Sequence, residues 1–347
     1  MFRAFCHKET LHILRDTKTL FFVVVIPAVL TLLFGFAIST DVNNIDVAVS
    51  APHITPESRA YVTRLENNRY FTFLGLCTQN EAEGLLRSGK ADAVVCFDHS
   101  GQDKIHIMLD ASNTNISAAA SMYLQGLLQE NRQTSVFETH LLYNPQMRSS
   151  YNFVPGILGV IFILICTIMT SVSIVREKET GTMSVLLVSP VRPITIMIAK
   201  VIPYLALSII NLAIILLLTY YVLDVPMVGG ILPLLGVSLL YLILALSLGL
   251  LISVISRTQV AALLLCALLL LSPAILFSGM IYPLENLPVW LRPASWLMPA
   301  TWYISAIRKL MIEGLPISYV LKEIVIMGAM TAGILVAGLK LFKDKME

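Results

Sequence analysis

Residues 84–91 read Gly-Leu-Leu-Arg-Ser-Gly-Lys-Ala, one residue short of the GxxxxGK[ST] loop that cradles nucleotide phosphates. That chemistry needs a strand before the loop and a helix after it, so that helix N-terminal amides face the phosphates. Here the order is reversed: a helical stretch, Gln79 to Arg87, comes first and a strand-like one, Ala91 to Phe97, follows. Ala91 also lacks the hydroxyl that would hold magnesium, so the segment is read as a helix end with Gly89 as its stop. Thr78 followed by Glu81 fits a capping box at the start of that helix. No HExxH, no GxSxG and no carboxylate pair within an apolar run is present, and no catalytic residue is expected in this chain. The five cysteines, Cys6, Cys77, Cys96, Cys166 and Cys266, stand singly, with no His/Cys spacing suited to a metal. Cys77 and Cys96 each end a predicted strand; a disulfide is one reading and two buried thiols the plainer one.

The densest charge lies in "IVREKETGTMSVLLVSPVRPITIMIAKVIPY", Ile174 to Tyr204. Arg176, Glu177, Lys178 and Glu179 close one long apolar run. Gly181 and Thr182 follow, a short amphipathic helix is expected from Thr182 to Val188, and Pro190 and Pro193 turn the chain into the next run. Such a protrusion suits mechanical rather than covalent chemistry, as a docking knob for a partner. A solvated loop that only anchors two helix ends is the other reading, and both remain open on the residues alone.

The elements that position this loop follow from composition. The 347 residues are 56% hydrophobic and 13% charged, with a mean hydropathy of +0.79, too apolar for an ordinary soluble domain. A net charge of +2 gives no basic excess for gripping nucleic acid. Six stretches are long enough to cross a bilayer: Leu20 to Ile38, Phe153 to Val175, Val201 to Leu223, Ile231 to Ser256, Thr258 to Ile281 and Val320 to Leu339. All must be helices, because lipid satisfies no backbone amide. The last contains Lys322 and Glu323, which are expected at the membrane interface.

Lysine and arginine collect before the first span, between Arg176 and Lys200, and in the tail at Lys340, Lys343 and Lys345. This predicts both termini in the cytoplasm, although Arg292, Arg308 and Lys309 count the other way. Residues 1–19 alternate Phe2, Phe5, Leu11 and Leu14 with basic neighbours, as a helix lying on the cytoplasmic surface would, or one that is simply solvated. The first apolar run lacks a cleavage site and is expected to stay as an anchor. Residues 40–150 then form an extracytoplasmic island with strands at Ile45 to Ser50, Ala91 to Phe97 and Lys104 to Asp110. Its helices are expected around Glu57 to Asn67, Gln79 to Arg87 and Ser117 to Glu138. The expected fold is a polytopic α-helical membrane protein, six transmembrane helices plus an inserted α/β extracytoplasmic domain.

The Ile174 to Tyr204 loop resembles the signature of the ABC-type 2 exporter permeases, close to "REKExGTMExLLVxPVRPxxIxxGKxxPY". The resemblance continues through Leu14 to Ser39, Leu251 to Ala262 and Leu269 to Gly314, and departs at Ser184 and Ala199. It implies an ATP-binding-cassette exporter in a bacterial cytoplasmic (inner) membrane, in which two permease chains, identical or homologous, pair and separate ATPase subunits dock from the cytoplasm. This chain would hold no cofactor; ATP and magnesium would sit on the partner ATPase. Arg176, Glu177, Lys178, Glu179, Gly181 and Thr182 would form or brace the coupling element. Within the spans, Thr167, Thr170, Ser171 and Asn211 are candidates to line a pathway, helix-to-helix hydrogen bonding being their commoner use. Residues 282–302 are expected as a re-entrant hairpin with an outer gate at Pro283, Trp290 and Trp296, or as an aromatic anchor. The cargo class that suits an apolar pathway is a drug, lipid or other amphiphile; a periplasmic adaptor is a further implied partner. A membrane-anchored sensor without transport and an intramembrane enzyme are the rival readings.

Overall fold

The computed structural model describes residues 2–37, 45–51, 56–98, 104–110, 114–129, 149–182, 193–280, 284 and 287–344. The chain divides into two compact units, residues 39–148 and the remainder.

The smaller unit is an α/β domain. Its four strands, β1 (Ile45–Ser50), β2 (Phe71–Cys77), β3 (Ala93–Asp98) and β4 (Lys104–Leu109), lie in the order β2-β1-β3-β4. β1 is parallel to both neighbours and β4 antiparallel to β3. Helices α3 (Pro56–Glu66) and α4 (Gln79–Arg87) make the two crossovers, and α5 (Thr114–Gln129) follows β4. A parallel strand between two neighbours must bury both faces. Accordingly Val47 and Val49 pack with Tyr61, Leu65 and Leu124 on one side, while Ala48 packs with Ala82 and Val94 on the other.

α4 opens on the Thr78 amide donating to Glu81 Oε2 at 2.9 Å, and that backbone bond holds the Glu81 carboxyl below its usual pKa. It closes with the Gly89 amide on the Leu86 carbonyl and the Lys90 amide on the Leu85 carbonyl, Gly89 at φ 64°. The near-match to a phosphate loop is thus a helix terminus. The expected long helix Ser117 to Glu138 begins earlier, at Thr114, and its residues 130–138 lie outside the described residues. Cys77 and Cys96 both register against Ser50, from opposite sides. Two strand spacings, about 9.6 Å, separate them, beyond the roughly 7 Å reach of a disulfide, and both thiols are free.

The larger unit is helical. It comprises α1 (Phe2–Arg15), α2 (Thr17–Ala37), α6 (Ser149–Glu179), α7 (Pro193–Tyr221), α8 (Ile231–Ile255), α9 (Gln259–Cys266), α10 (Ser272–Phe277), α11 (Arg292–Leu297), α12 (Pro299–Met311) and α13 (Leu321–Asp344). Among the described residues five stretches are long and apolar enough to cross a membrane: Phe153–Glu179, Ile198–Tyr221, Ile231–Ile255, Gln259–Phe277 and Ile317–Gly338. Within α2 the apolar helix Val23–Phe36 is shorter. The span expected from Thr258 is one continuous helical stretch that contains a π turn, Ala267–Leu271, between α9 and α10. Pro273, just beyond it, has no amide hydrogen, and its ring crowds the carbonyl four residues back; a widened turn relieves both.

α6 and α8 are the axis of the bundle, with 72% and 67% of their apolar windows buried against 22% for Gln259–Phe277 and Ile317–Gly338. Their backbones approach closely at Gly249, where a Cβ would stand 2.7 Å from the Thr167 carbonyl oxygen and 2.7 Å from Thr170 Cβ. Gly249→Val is expected to destabilise the chain by about 2–3 kcal/mol through overpacking, outweighing the few tenths gained in helix propensity. Reversible unfolding in mixed micelles measures this.

α12 packs back into the bundle, where Tyr303 stacks on Tyr241 at 4.0 Å and its hydroxyl pairs with Ser238 at 3.0 Å. Lys322 is exposed, its ammonium 5.7 Å from the centre of the Trp302 ring. Glu323, beside it, is buried and accepts from Lys309 Nζ at 2.6 Å. Arg308 donates to the Gly279 carbonyl at 3.3 Å. Arg308 and Lys309 are thus both paired within the bundle, each only partly buried.

Candidate functional site

Four consecutive residues on a helix project about 100° apart and so sweep almost the whole circumference. At the end of α6 the four are all acidic or basic residues, and each reaches a different segment. Arg176 approaches Asp16, at the joint of α1 and α2, at 3.8 Å. Glu177 Oε1 pairs with Lys8 of α1 at 3.2 Å and Lys200 of α7 at 3.0 Å. Lys178 donates to the Ser253 carbonyl in the last turn of α8. Glu179 accepts from the Gln259 side chain, at the start of α9, at 2.7 Å. Beyond them Gly181 takes φ 74°, the left-handed conformation that ends a helix, and Thr182 Oγ1 returns to the Glu177 carbonyl at 3.2 Å. Beyond Thr182, the predicted amphipathic helix from Thr182 to Val188 falls on residues outside those described, Ser184 among them.

At the centre is a four-charge ring. Lys200 Nζ also pairs with Glu9 Oε1 at 3.1 Å, and Glu9 lies 3.5 Å from Lys8. Lys200 and Glu9 are each 4% exposed, so neither can be solvated when unpaired. Glu177 Oε2 has no hydrogen-bond partner among the described residues. Lys8 is held above its ordinary pKa: burial works against its charge, but the attraction of Glu177 and Glu9 prevails.

The role of Glu9 and Lys200 escaped the sequence reading, which counted Lys200 only as a loop cation. One signal was available. Glu9 is the single acidic residue in a helix that otherwise carries Arg3, Lys8 and Arg15, and a lone carboxylate in a basic segment asks for a buried partner.

The pathway candidates face neighbouring helices of the same chain. Thr167 Oγ1 donates to the Ala245 carbonyl at 2.9 Å, and Asn211 Nδ2 to the Val23 carbonyl at 3.1 Å. Ser171 donates to the Ile168 carbonyl at 3.1 Å and lies 3.6 Å from Cys266 Sγ. Thr170 is buried against Gly249. Trp290 and Trp296 are exposed around α11, with the Trp302 indole donating to the Trp296 carbonyl at 2.9 Å; Pro283 lies outside the described residues. None of these residues joins the charged cluster on α6.

A family profile described as "ABC-2 family transporter protein" matches residues 17–340, nearly the whole chain and all of the α6 charged terminus. The chain belongs to this family. The probable multidrug ABC transporter permease YbhS of Escherichia coli (strain K12) is 27% identical over 333 residues, covering 90% of this chain and 88% of the relative. The probable multidrug ABC transporter permease YbhR of the same strain is 28% identical over 304 residues, 82% of each chain. The inner membrane transport permease YhhJ of that strain is 26% identical over 230 residues, 61% of this chain and 60% of the relative. The α6 terminus of this ABC-2 family chain thus contacts α1, α7, α8 and α9 and the Asp16 joint between α1 and α2.

Proposed function

We propose that the chain is the permease subunit of an ATP-binding-cassette exporter, driven by a separate ATPase subunit that carries the ATP and magnesium and docks where α6 ends. The observation that carries this reading is the fan of Arg176, Glu177, Lys178 and Glu179 to five segments, the Asp16 joint, α1, α7, α8 and α9. A push on Gly181 and Thr182 meets ion pairs and hydrogen bonds in every direction, so helices tilt together instead of one loop yielding. The N-terminal helix α1, locked to this ring through Lys8 and Glu9, is the second contact.

In this arrangement α2 is the first of six spans, both termini are cytoplasmic and residues 40–150 lie outside. Two such chains pair, as a homodimer or with a homologous permease, and the outer domain is the surface available to a periplasmic adaptor. The name of YhhJ supports the inner membrane of a bacterium and the names of YbhS and YbhR support a drug as cargo; a lipid or other amphiphile suits the apolar spans. The exposed Trp290 and Trp296 suit an outer-leaflet gate element or anchor.

Glu179 is the residue with which to test coupling, because Glu177 is bound into the buried ring and its reversal would also disturb folding. Glu179→Lys breaks the bond to Gln259, a hydrogen bond to a charged group, and should lower export per ATP hydrolysed on the order of tenfold. The ATPase subunit should still co-purify with the variant. Unchanged export would remove the coupling role, and failure of the wild-type chain to co-purify with any ATPase would remove the exporter reading itself.

A further inference from the structure

A cavity of about 540 Å³ opens beside the charged ring, between α1, α2, α6 and α7. Its lining is layered. Asp16, Arg176 and Lys200 line one level; Val23, Met169 and Leu207 also line it, each seven residues along the same helices. Seven residues are almost two full turns, so each pair shares a helix face, with the apolar member about 10 Å deeper into the spans. The result is an ionic rim over an apolar floor. The volume is that of a site for a drug-sized molecule or for a headgroup with the upper part of its hydrocarbon.

The rim is formally neutral, Lys8, Arg176 and Lys200 against Glu9, Asp16 and Glu177, but its exposure is uneven. Lys8 and Arg176 side chains are 52% and 50% exposed, whereas Asp16, paired with Arg176 at 3.8 Å, is 34% exposed, and Glu9 and Glu177, paired with Lys200, are 5% and 13% exposed. An entering group therefore meets an ammonium and a guanidinium first. His12, exposed on the same helix, adds no negative charge.

We propose that this cavity is a binding site for an anionic amphiphile: a phosphate headgroup held by Lys8 and Arg176, with its hydrocarbon on Val23, Met169 and Leu207. Such a molecule wedges the surface helix α1 against the spans and reports lipid composition to the ring that ties α1 to α6. The inference concerns binding by this chain alone and does not rest on the transport reading.

The test uses the purified full-length chain in nanodiscs, with phosphatidylglycerol, phosphatidylcholine and soluble glycerol phosphate as probes and native mass spectrometry as readout. Phosphatidylglycerol should be retained at least fivefold over phosphatidylcholine, since each basic residue near a surface is worth on the order of fivefold. Glycerol phosphate, which lacks the tail, should not compete. Phosphatidylglycerol with a photoreactive group high on its acyl chain should label the peptides carrying Val23 and Met169. Lys8→Gln combined with Arg176→Gln should abolish the preference, and Lys8→Arg should keep it. Equal retention of the two lipids, competition by glycerol phosphate, or labelling confined to other peptides would each overturn the proposal. The labelling arm uses the native chain, so it decides the matter even if the double variant folds poorly.

Discussion

Lys200→Met should destabilise the chain by about 3–5 kcal/mol, the cost of stranding buried charge, against the 0.5–3 kcal/mol typical of single substitutions. Lys200 holds Glu9 at 3.1 Å and Glu177 at 3.0 Å, and all three are almost wholly buried. Methionine fills a similar volume and leaves two carboxylates to share Lys8, whose side chain is half in solvent. Like charges that close cannot both stay ionised without cost. The first structural consequence is release of α1, readable as faster amide exchange over residues 2–15 while the α6–α8 axis stays protected. Adding Glu177→Gln should recover part of the loss, because it removes one of the stranded charges. Equal stability of Lys200→Met and the native chain would show that the ring is open to water.

Breaking the second buried pair should be lopsided. Lys309→Met leaves Glu323, only 4% exposed, with no cation and is expected to cost about 3–5 kcal/mol. Glu323→Gln leaves Lys309, 31% exposed and able to turn toward solvent, and is expected to cost about 1–2 kcal/mol. Glu323 also accepts from Ser305 at 3.3 Å, a bond that glutamine can keep. The pair joins α12 to the first turn of α13, so the expected early event is separation of those two helices. Unfolding midpoints of the two variants and their combination give the coupling directly. A larger loss for Glu323→Gln than for Lys309→Met would contradict the burial order on which the argument rests.

Where the sequence was legible, the signal was periodic or local. Long uncharged runs permit only helices in lipid, and the alternation at Ile45 to Ser50 places a strand whose two faces are both covered. The capping pair Thr78 and Glu81 and the stop at Gly89 bound α4 to the residue. The π turn before Pro273 was not legible, because an apolar run looks the same whether its turns close on the fourth or the fifth residue. The second half of the candidate site was hidden for another reason. Glu9 and Lys200 stand 191 positions apart, and nothing local in either segment names the other.

The amino-acid order alone determined that this chain lives in a membrane, carries an inserted α/β unit and presents a charged α6 terminus, because each follows from local composition and short-range spacing. Folding decided what the charges do. Glu177 is tied to Lys8 and Lys200, Glu323 to Lys309, and the Thr167 hydroxyl to the Ala245 carbonyl of a neighbouring helix. The physical reason is the cost of burying charge. A carboxylate taken out of water must find a cation, and which cation is within reach is set by how the helices pack.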